Sequence, residues 1–192
     1  MTTCWPTIDH MAAHLISPSQ GTHRTRLGRA SNPGQIYHVI AATKDRRLHF
    51  SQYDRGRFVV KALMRARHAS AATTIAYVVM PDHFHWLMQL HQRMDLSTCV
   101  GNVKAYSARM LNASLGTKGP VWQRGFFDSG LRRECDLIAL SRYIVANPLR
   151  ARLVAHLGDY PLWDAVWMHN SRSEERSNRS NCRSASGGAT WI

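Results

Sequence analysis

The amino-acid sequence predicts an α+β domain with a mainly antiparallel sheet and flanking helices. Two observations support this fold class. Three short segments between residues 35 and 90 are β-branched runs or alternate between apolar and polar residues, as strands do. Three longer segments between residues 51 and 147 repeat apolar residues at three- and four-residue spacing, which is the period of an amphipathic helix. Strands and helices mixed in this order are typical of an α+β fold.

The first half of the domain contains a strand, a helix and a β-hairpin. Segment 35–43 follows the turn residues Asn-Pro-Gly and has the composition of a strand. Residues 51–69 have helical spacing. The runs 73–80 and 84–90 are strands, and Pro81-Asp82 between them favours a tight turn. These two runs therefore predict a hairpin.

The second half contains two further helices. Residues 95–114 predict a helix with Asp95 or Ser97 available as its N-terminal cap. Residues 136–147 predict a helix that stops at Asn147-Pro148, because a residue before proline disfavours the helical conformation. Between these helices, residues 122–132 predict short strands or an ordered loop, and 160–167 follows as a short packing segment.

Charge distinguishes this chain from most proteins of its size. The 192 residues carry a net charge of +13. Between Arg26 and Trp167 there are 20 basic residues and 9 acidic ones, so the excess belongs to the folded part. We expect a poorly ordered extension at 1–26, one domain at 27–168 and a disordered Ser/Arg-rich tail at 169–192. An excess of arginine on such a domain favours a nucleic-acid partner.

Other features exclude several protein classes. The four cysteines form no CxxC pair, which argues against a disulfide framework and a zinc ribbon. The sequence has no apolar run of membrane-spanning length and no basic start followed by an apolar stretch. We therefore expect a cytoplasmic, nucleoid-associated protein with no membrane partner.

His83-Phe84-His85 opens the second strand of the predicted hairpin. Because strand side chains alternate, both imidazoles point to one face, where they could bind one metal ion. An HxH pair is common by chance in a sequence with 11 histidines, so the pair alone is weak support. The alternative is that both rings are half-buried and bonded to backbone carbonyls.

Tyr143 and Asn147 lie four residues apart on the last predicted helix, so their side chains share one face. A tyrosine hydroxyl beside a metal that also binds a phosphate can attack phosphorus, and Asn147 could supply a third ligand oxygen. The alternative is structural: Tyr143 packs on the amphipathic face and Asn147 ends the helix.

Four blocks of the chain share a resemblance. They are AYVVMPDHFHW, VWQRGFFDSGLRRECDL, RYIVANPLRARLV and DYPLWDAVW, and the upstream segment GRASNPGQIYHVIAATKDRRLHF agrees with them. In order and spacing they resemble the REP-associated tyrosine transposases, a branch of the IS200-like single-tyrosine HUH transposases. The resemblance covers about residues 27–168.

This resemblance implies a single domain with a ferredoxin-like or RNA-recognition-like sheet and a specific set of site residues. His83 and His85 match the metal-binding pair, Asn147 the polar residue that completes the site, and Tyr143 the nucleophile. The implied reaction is Mg²⁺- or Mn²⁺-dependent cleavage and rejoining of single-stranded DNA through a 5′-phosphotyrosine. The implied substrates are repetitive extragenic palindromes that fold as hairpins, and the enzyme is a monomer or homodimer.

One departure from the family motivates a second hypothesis about the function. Several relatives carry a histidine after the acidic residue that here is Asp128, and this chain has Ser129. Weaker cleavage would leave a domesticated DNA-hairpin-binding protein on the same fold. A zinc hydrolase that uses the His pair is a third candidate, but the only acid close to the pair is Asp82.

A DNA hairpin needs phosphate contacts and surfaces on which unpaired bases can stack. Arginines that flank the family blocks are candidates for the first, and aromatic residues of 122–127 for the second. The predicted DNA-binding residues are Arg26, Arg29, Arg46, Arg47, Trp122, Gln123, Arg124, Arg132, Arg133 and Arg150.

Overall fold

The structure is a computed structural model that describes residues 31–131 and 136–166. Short 3-10 turns at Lys44–Arg46 and Leu157–Asp159 join the regular elements. In these ranges the strands and α-helices are β1 (Ile36–Ala42), α1 (Tyr53–His68), β2 (Ala72–Met80), β3 (His83–Leu90), α2 (Leu96–Leu115), β4 (Phe127–Gly130), α3 (Asp136–Val145), α4 (Asn147–Arg150) and β5 (Trp163–Ala165).

The sheet has the order β4-β1-β3-β2-β5, and every neighbouring pair is antiparallel. β1 and β2 are therefore parallel to each other, with β3 inserted between them. The succession β1-α1-β2-β3-α2-β4 in this order is the ferredoxin-like arrangement, to which β5 adds an edge strand. The predicted α+β fold with an antiparallel sheet is confirmed.

The two faces of the sheet are covered by different helices. α1 and α2 pack on one face, where Phe84, Trp86 and Met88 of β3 are fully buried among their apolar side chains. α3 packs on the opposite face with Leu87 of β3. Because successive side chains of a strand point to opposite faces, His83 and His85 lie on the same face as Leu87. The histidine pair and α3 thus share one face.

α2 begins and ends as its sequence predicts. Of the two candidate caps, Asp95 is the N-cap: its Oδ1 accepts a hydrogen bond of 2.9 Å from the backbone N–H of Thr98. This bond satisfies one of the donors that a helix start leaves free. Gly116 ends the helix with a φ of 63°, a left-handed conformation that glycine adopts at little cost.

The C-terminal part differs from the prediction in two ways. The helix predicted over 136–147 ends at Val145, and Asn147 is the first residue of a separate short helix, α4. Pro148 occupies the first turn of α4, where its missing N–H has no intrahelical partner to lose. The packing segment 160–167 contains strand β5, which pairs with β2. Its tertiary partner therefore decides its structure.

The expected extension at 1–26 and tail at 169–192 lie outside the described residues, so the domain limits 27–168 stay a prediction. Four predicted DNA contacts, Arg26, Arg29, Arg132 and Arg133, also lie outside them. No helix in the ranges 31–131 and 136–166 is long and apolar enough to span a membrane.

Candidate active site

The two imidazoles of β3 face each other through their Nε2 atoms. The distance from Nε2 of His83 to Nε2 of His85 is 3.2 Å, and the ring planes meet at 73°. Two nitrogens that each lie about 2.1 Å from one cation, at 90–109° to each other, are about 3.0–3.4 Å apart. The spacing therefore fits two adjacent positions of one coordination sphere.

Each imidazole is held from behind through its Nδ1 atom. Nδ1 of His83 donates to Oδ1 of Asp82 over 2.6 Å, and Nε of Arg46 donates to the other carboxylate oxygen over 2.8 Å. Nδ1 of His85 lies 3.1 Å from Nε2 of His38, a buried residue of β1. Partners of this kind fix the orientation of metal-binding histidines. The alternative in which backbone carbonyls satisfy both rings does not describe this site.

Burial and nearby charge keep the imidazoles of His85 and His38 neutral at pH 7. Burial lowers the pKa of His85 well below its ordinary value, and the positive charges that His83, His38 and Arg46 carry when protonated lower it further. Burial alone lowers the pKa of His38 to about 4. Burial raises the pKa of Asp82, but its hydrogen bond to His83 and the nearby charge of Arg46 outweigh burial, so the net shift is downward. A neutral imidazole is the form that binds a metal.

With the residues that the structure describes, the rest of the coordination sphere would come from oxygen atoms. Within residues 31–131 and 136–166, no three His, Cys, Asp or Glu side chains are grouped to hold a metal ion. Structural zinc sites use four protein ligands, so the described residues lack the set such a site needs. Two imidazoles together with water, phosphate or amide oxygens suit a cation that accepts mixed ligands.

Tyr143 lies on the helix that covers the histidine face. Its neighbour Ile144 is fully buried in the cluster that also contains Val78 and Met80 of β2. Those two residues are the strand partners of His85 and His83. Tyr143 itself is half-buried, and the guanidinium carbon of Arg150 lies 4.7 Å from the centre of its ring. The nucleophile candidate and the histidine pair thus share one face; their sharing of one pocket stays a prediction.

Asn147 caps the end of α3 with its amide. Its Nδ2 donates to the backbone oxygens of Tyr143, over 3.1 Å, and Ile144, over 2.9 Å. These bonds satisfy carbonyls that the helix end leaves without partners, as the structural alternative predicted. The amide oxygen, which is the atom that would bind a cation, takes no part in them. The proposed role of Asn147 as a ligand stays a prediction.

Comparison with known proteins identifies the family. Residues 32–147 match the family model "Transposase IS200 like", which covers more than half of the chain. The chain belongs to the IS200-like transposases. The family predicted from the sequence is confirmed.

Two relatives of this IS200-like chain carry a more specific description. The chain is 30% identical over 98 residues to a protein of Haemophilus influenzae named "Putative REP-associated tyrosine transposase". That match covers 46% of this chain and 56% of the relative, so the chain spans little more than half of the relative's length. A solved structure of a REP-associated tyrosine transposase bound to a REP hairpin superposes with a TM-score of 0.59. The two chains are 21% identical, and the superposition covers 70% of this chain and 79% of the related chain. The likeness shows that the fold is shared.

The described candidates for DNA contact in this IS200-like chain are mostly accessible. Arg47, Gln123 and Arg124 are exposed. The Arg46 side chain is 49% exposed, but its Nε is already bonded to Asp82, so it holds the site together and is only partly available to phosphate. Arg150 is exposed and lies over the ring of Tyr143.

The prediction that Trp122 stacks on unpaired bases needs correction. The residue is 7% exposed, its ring stacks on Phe50 at 5.0 Å and meets the edge of Phe84 at 5.3 Å. Its indole N–H donates to Oγ of Ser107 over 3.1 Å. Trp122 therefore belongs to the core beneath α1 and α2 and offers no free face to a base. Trp163, in the segment 160–167 that was predicted to pack, lies against the apolar cluster of Val78 and Ile144 on the α3 side of the sheet.

Sequence analysis missed the part that His38 plays in the site. The residue lies on β1, forty-seven positions from His85, and its pattern within 35–43 is that of an ordinary strand residue. The signal that could have found it is the alternation of side chains along β1. His38 and Ile40 point to the same face of the sheet, and Ile40 pairs with His85. Ser129 of β4 pairs with His38 and therefore lies on the same face of the sheet.

Proposed function

We propose that this protein is a REP-associated tyrosine transposase that cuts and rejoins single-stranded DNA next to a hairpin. One observation carries the proposal: the Nε2 atoms of His83 and His85 converge at 3.2 Å on the sheet face that bears the helix of Tyr143. Membership of the IS200-like family supports it, as do the REP-associated relatives.

Tyr143 is the nucleophile of the proposed reaction. Its phenolic oxygen bonds to the scissile phosphorus, and the bond from phosphorus to the 3′-oxygen breaks. The phenolic proton passes to solvent, and the 3′-oxygen takes a proton from solvent and leaves as a hydroxyl. The product is a 5′-phosphotyrosine, and attack by a 3′-hydroxyl reverses the step. Because one phosphoester replaces another, rejoining needs no nucleotide energy source.

The residues of the chain orient both partners of this attack. Arg150 contacts the ring of Tyr143 and carries a positive charge beside the site where the negatively charged phosphate must lie. His83 and His85, with the amide oxygen of Asn147, would hold Mg²⁺ or Mn²⁺. The chemistry such a cation would supply when bound is Lewis-acid polarisation of the scissile phosphate. Since two ligands are imidazoles, we expect Mn²⁺ to support cleavage at least as well as Mg²⁺.

The exposed arginines bind the substrate in this proposal. Arg47 and Arg124 present guanidinium groups suited to phosphate, and a DNA hairpin like that bound by the related structure is the substrate we infer. Removing one arginine that binds a phosphate is expected to reduce the salt slope of binding by about 0.7–0.9 log units per log salt.

A tyrosine-to-phenylalanine pair tests the proposal. Tyr143→Phe should abolish the denaturant-resistant adduct between protein and DNA while hairpin affinity is kept. Tyr106→Phe is the matched control, because Tyr106 on α2 also has an arginine 4.7 Å from its ring but lies with the helices on the opposite face. The control should keep the adduct.

The assay is a denaturing gel of protein mixed with labelled hairpin DNA that carries a single-stranded foot, with Mn²⁺ or Mg²⁺ present. An adduct that persists in Tyr143→Phe would contradict the assignment of the nucleophile. Binding of several hairpins by the wild type without any adduct would favour the alternative, a hairpin-binding protein that does not cleave.

A further inference from the structure

His38 is a buried histidine that the proposed chemistry does not use directly. It is 2% exposed and lies on β1, in register with Leu87 of β3. Its ring stacks on that of His85, with centroids 5.3 Å apart and planes at 15°. Its Nε2 atom lies 3.1 Å from Nδ1 of His85. A polar group is expensive to bury unless it is hydrogen-bonded, so this contact with His85 indicates where the role of His38 lies.

The contact has two possible directions, and they differ in what His85 can do. A neutral imidazole carries one proton, on Nδ1 or on Nε2. If Nδ1 of His85 donates to His38, then Nε2 of His85 is free to bind a cation. If His38 donates to Nδ1 of His85, then Nε2 of His85 carries the proton and cannot be a ligand. The direction of this single hydrogen bond therefore decides whether His85 can ligate.

His38 cannot itself be a third ligand beside His83 and His85. Its Nε2 approaches the Nδ1 side of the His85 ring, whereas His83 approaches the Nε2 side. A cation between the two Nε2 atoms of β3 would thus have the whole His85 ring between it and His38. The contact can act on the cation only through His85.

We infer that His38 is a positioning residue: by accepting a hydrogen bond at Nε2, it holds His85 in the orientation and proton form that bind the cation. Asp82 does the same for His83 from the other side. The two rings are thereby fixed from different parts of the fold, His83 by the β2–β3 turn and His85 by strand β1. This inference rests on the cation site of the proposed function.

Two substitutions that differ by one methylene test the inference. In His38→Gln, the side-chain amide can reach about the place of Nε2 and its oxygen can accept from His85. In His38→Asn, the shorter amide reaches about the place of Nδ1 and leaves His85 without its partner. Removing such a partner is expected to weaken metal binding about 10- to 100-fold. We expect His38→Asn to show this effect, and His38→Gln to bind Mn²⁺ within a few-fold of wild type.

The measurements need no DNA and no cleavage. Titration calorimetry gives the Mn²⁺ affinity of each full-length protein. Two-bond ¹H–¹⁵N correlation spectra give the proton position on the His85 ring, with diamagnetic Mg²⁺ added to saturation. The wild-type protein should then carry the His85 proton on Nδ1, which can be checked even if a variant fails to fold.

The outcomes separate the inference from the proposed function. Equal Mn²⁺ affinity in wild type, His38→Gln and His38→Asn would overturn the role of His38 and leave the cation site intact. A proton on Nε2 of His85 in the Mg²⁺-saturated protein would also overturn it. Failure of the wild type to bind Mn²⁺ or Mg²⁺ at millimolar concentration would refute the cation site itself and, with it, this inference. An unchanged cation site with no DNA adduct would refute only the cleavage function.

Discussion

The buried imidazole of His38 should make the stability of this protein depend on pH. Burial lowers its pKa from 6.5 to about 4, so the folded protein resists a proton that the unfolded chain accepts. Between these two values the unfolded state binds more protons, and the free energy of unfolding falls as pH falls. The contribution of His38 to the free energy of unfolding is complete above pH 6.5 and declines progressively as the pH falls to about 4.

The size of the effect follows from the two pKa values. The whole gap corresponds to about 3 kcal/mol, because each tenfold change in proton affinity is worth about 1.4 kcal/mol. Between pH 7 and pH 5 the loss of stability attributable to His38 is about 2 kcal/mol. His85 acts in the same direction, since its pKa is also lowered by burial.

The perturbation is His38→Gln, and the assay is urea unfolding at pH 7, 6 and 5 in the presence of a chelator. The wild type should lose at least about 2 kcal/mol between pH 7 and pH 5, and the variant should lose about 2 kcal/mol less than the wild type over that range. His156→Gln is the control, because His156 is exposed. Parallel pH profiles for wild type and His38→Gln would refute the reasoning, whatever the stability of the variant at pH 7.

Three further substitutions check other parts of the structure. Asp82→Ala should weaken Mn²⁺ binding about 10- to 100-fold, because it removes the partner that orients His83; calorimetry showing unchanged affinity would contradict this. Asp95→Ala should lower the free energy of unfolding by about 1 kcal/mol through loss of the α2 cap but leave Mn²⁺ affinity as it is. Trp122→Leu should lower it by about 3 kcal/mol with little effect on hairpin affinity of the folded variant. A roughly tenfold fall in affinity without destabilisation would restore Trp122 as a base-stacking residue.

Local periodicity was sufficient to predict the main elements. Three predictions agree with the structure, with each end placed within one residue: the strand at 35–43, the hairpin of 73–90 and the helix at 95–114. These elements are determined by side-chain spacing and by short-range turns and caps such as Asp95, which the sequence displays directly. The parity of His83 and His85 is equally local, so their common face was also predictable.

What failed, or was missed, depends on partners far away in the chain. Trp122 is buried because Phe50 and Phe84, both distant from it in the sequence, pack against its ring. His38 reaches His85 only through the pairing of β1 with β3. The sequence by itself determined the elements, the basic charge and the residues with chemical potential. The tertiary structure alone decided which of them lie together, because strand register and the side of the sheet on which a helix packs are properties of the whole fold.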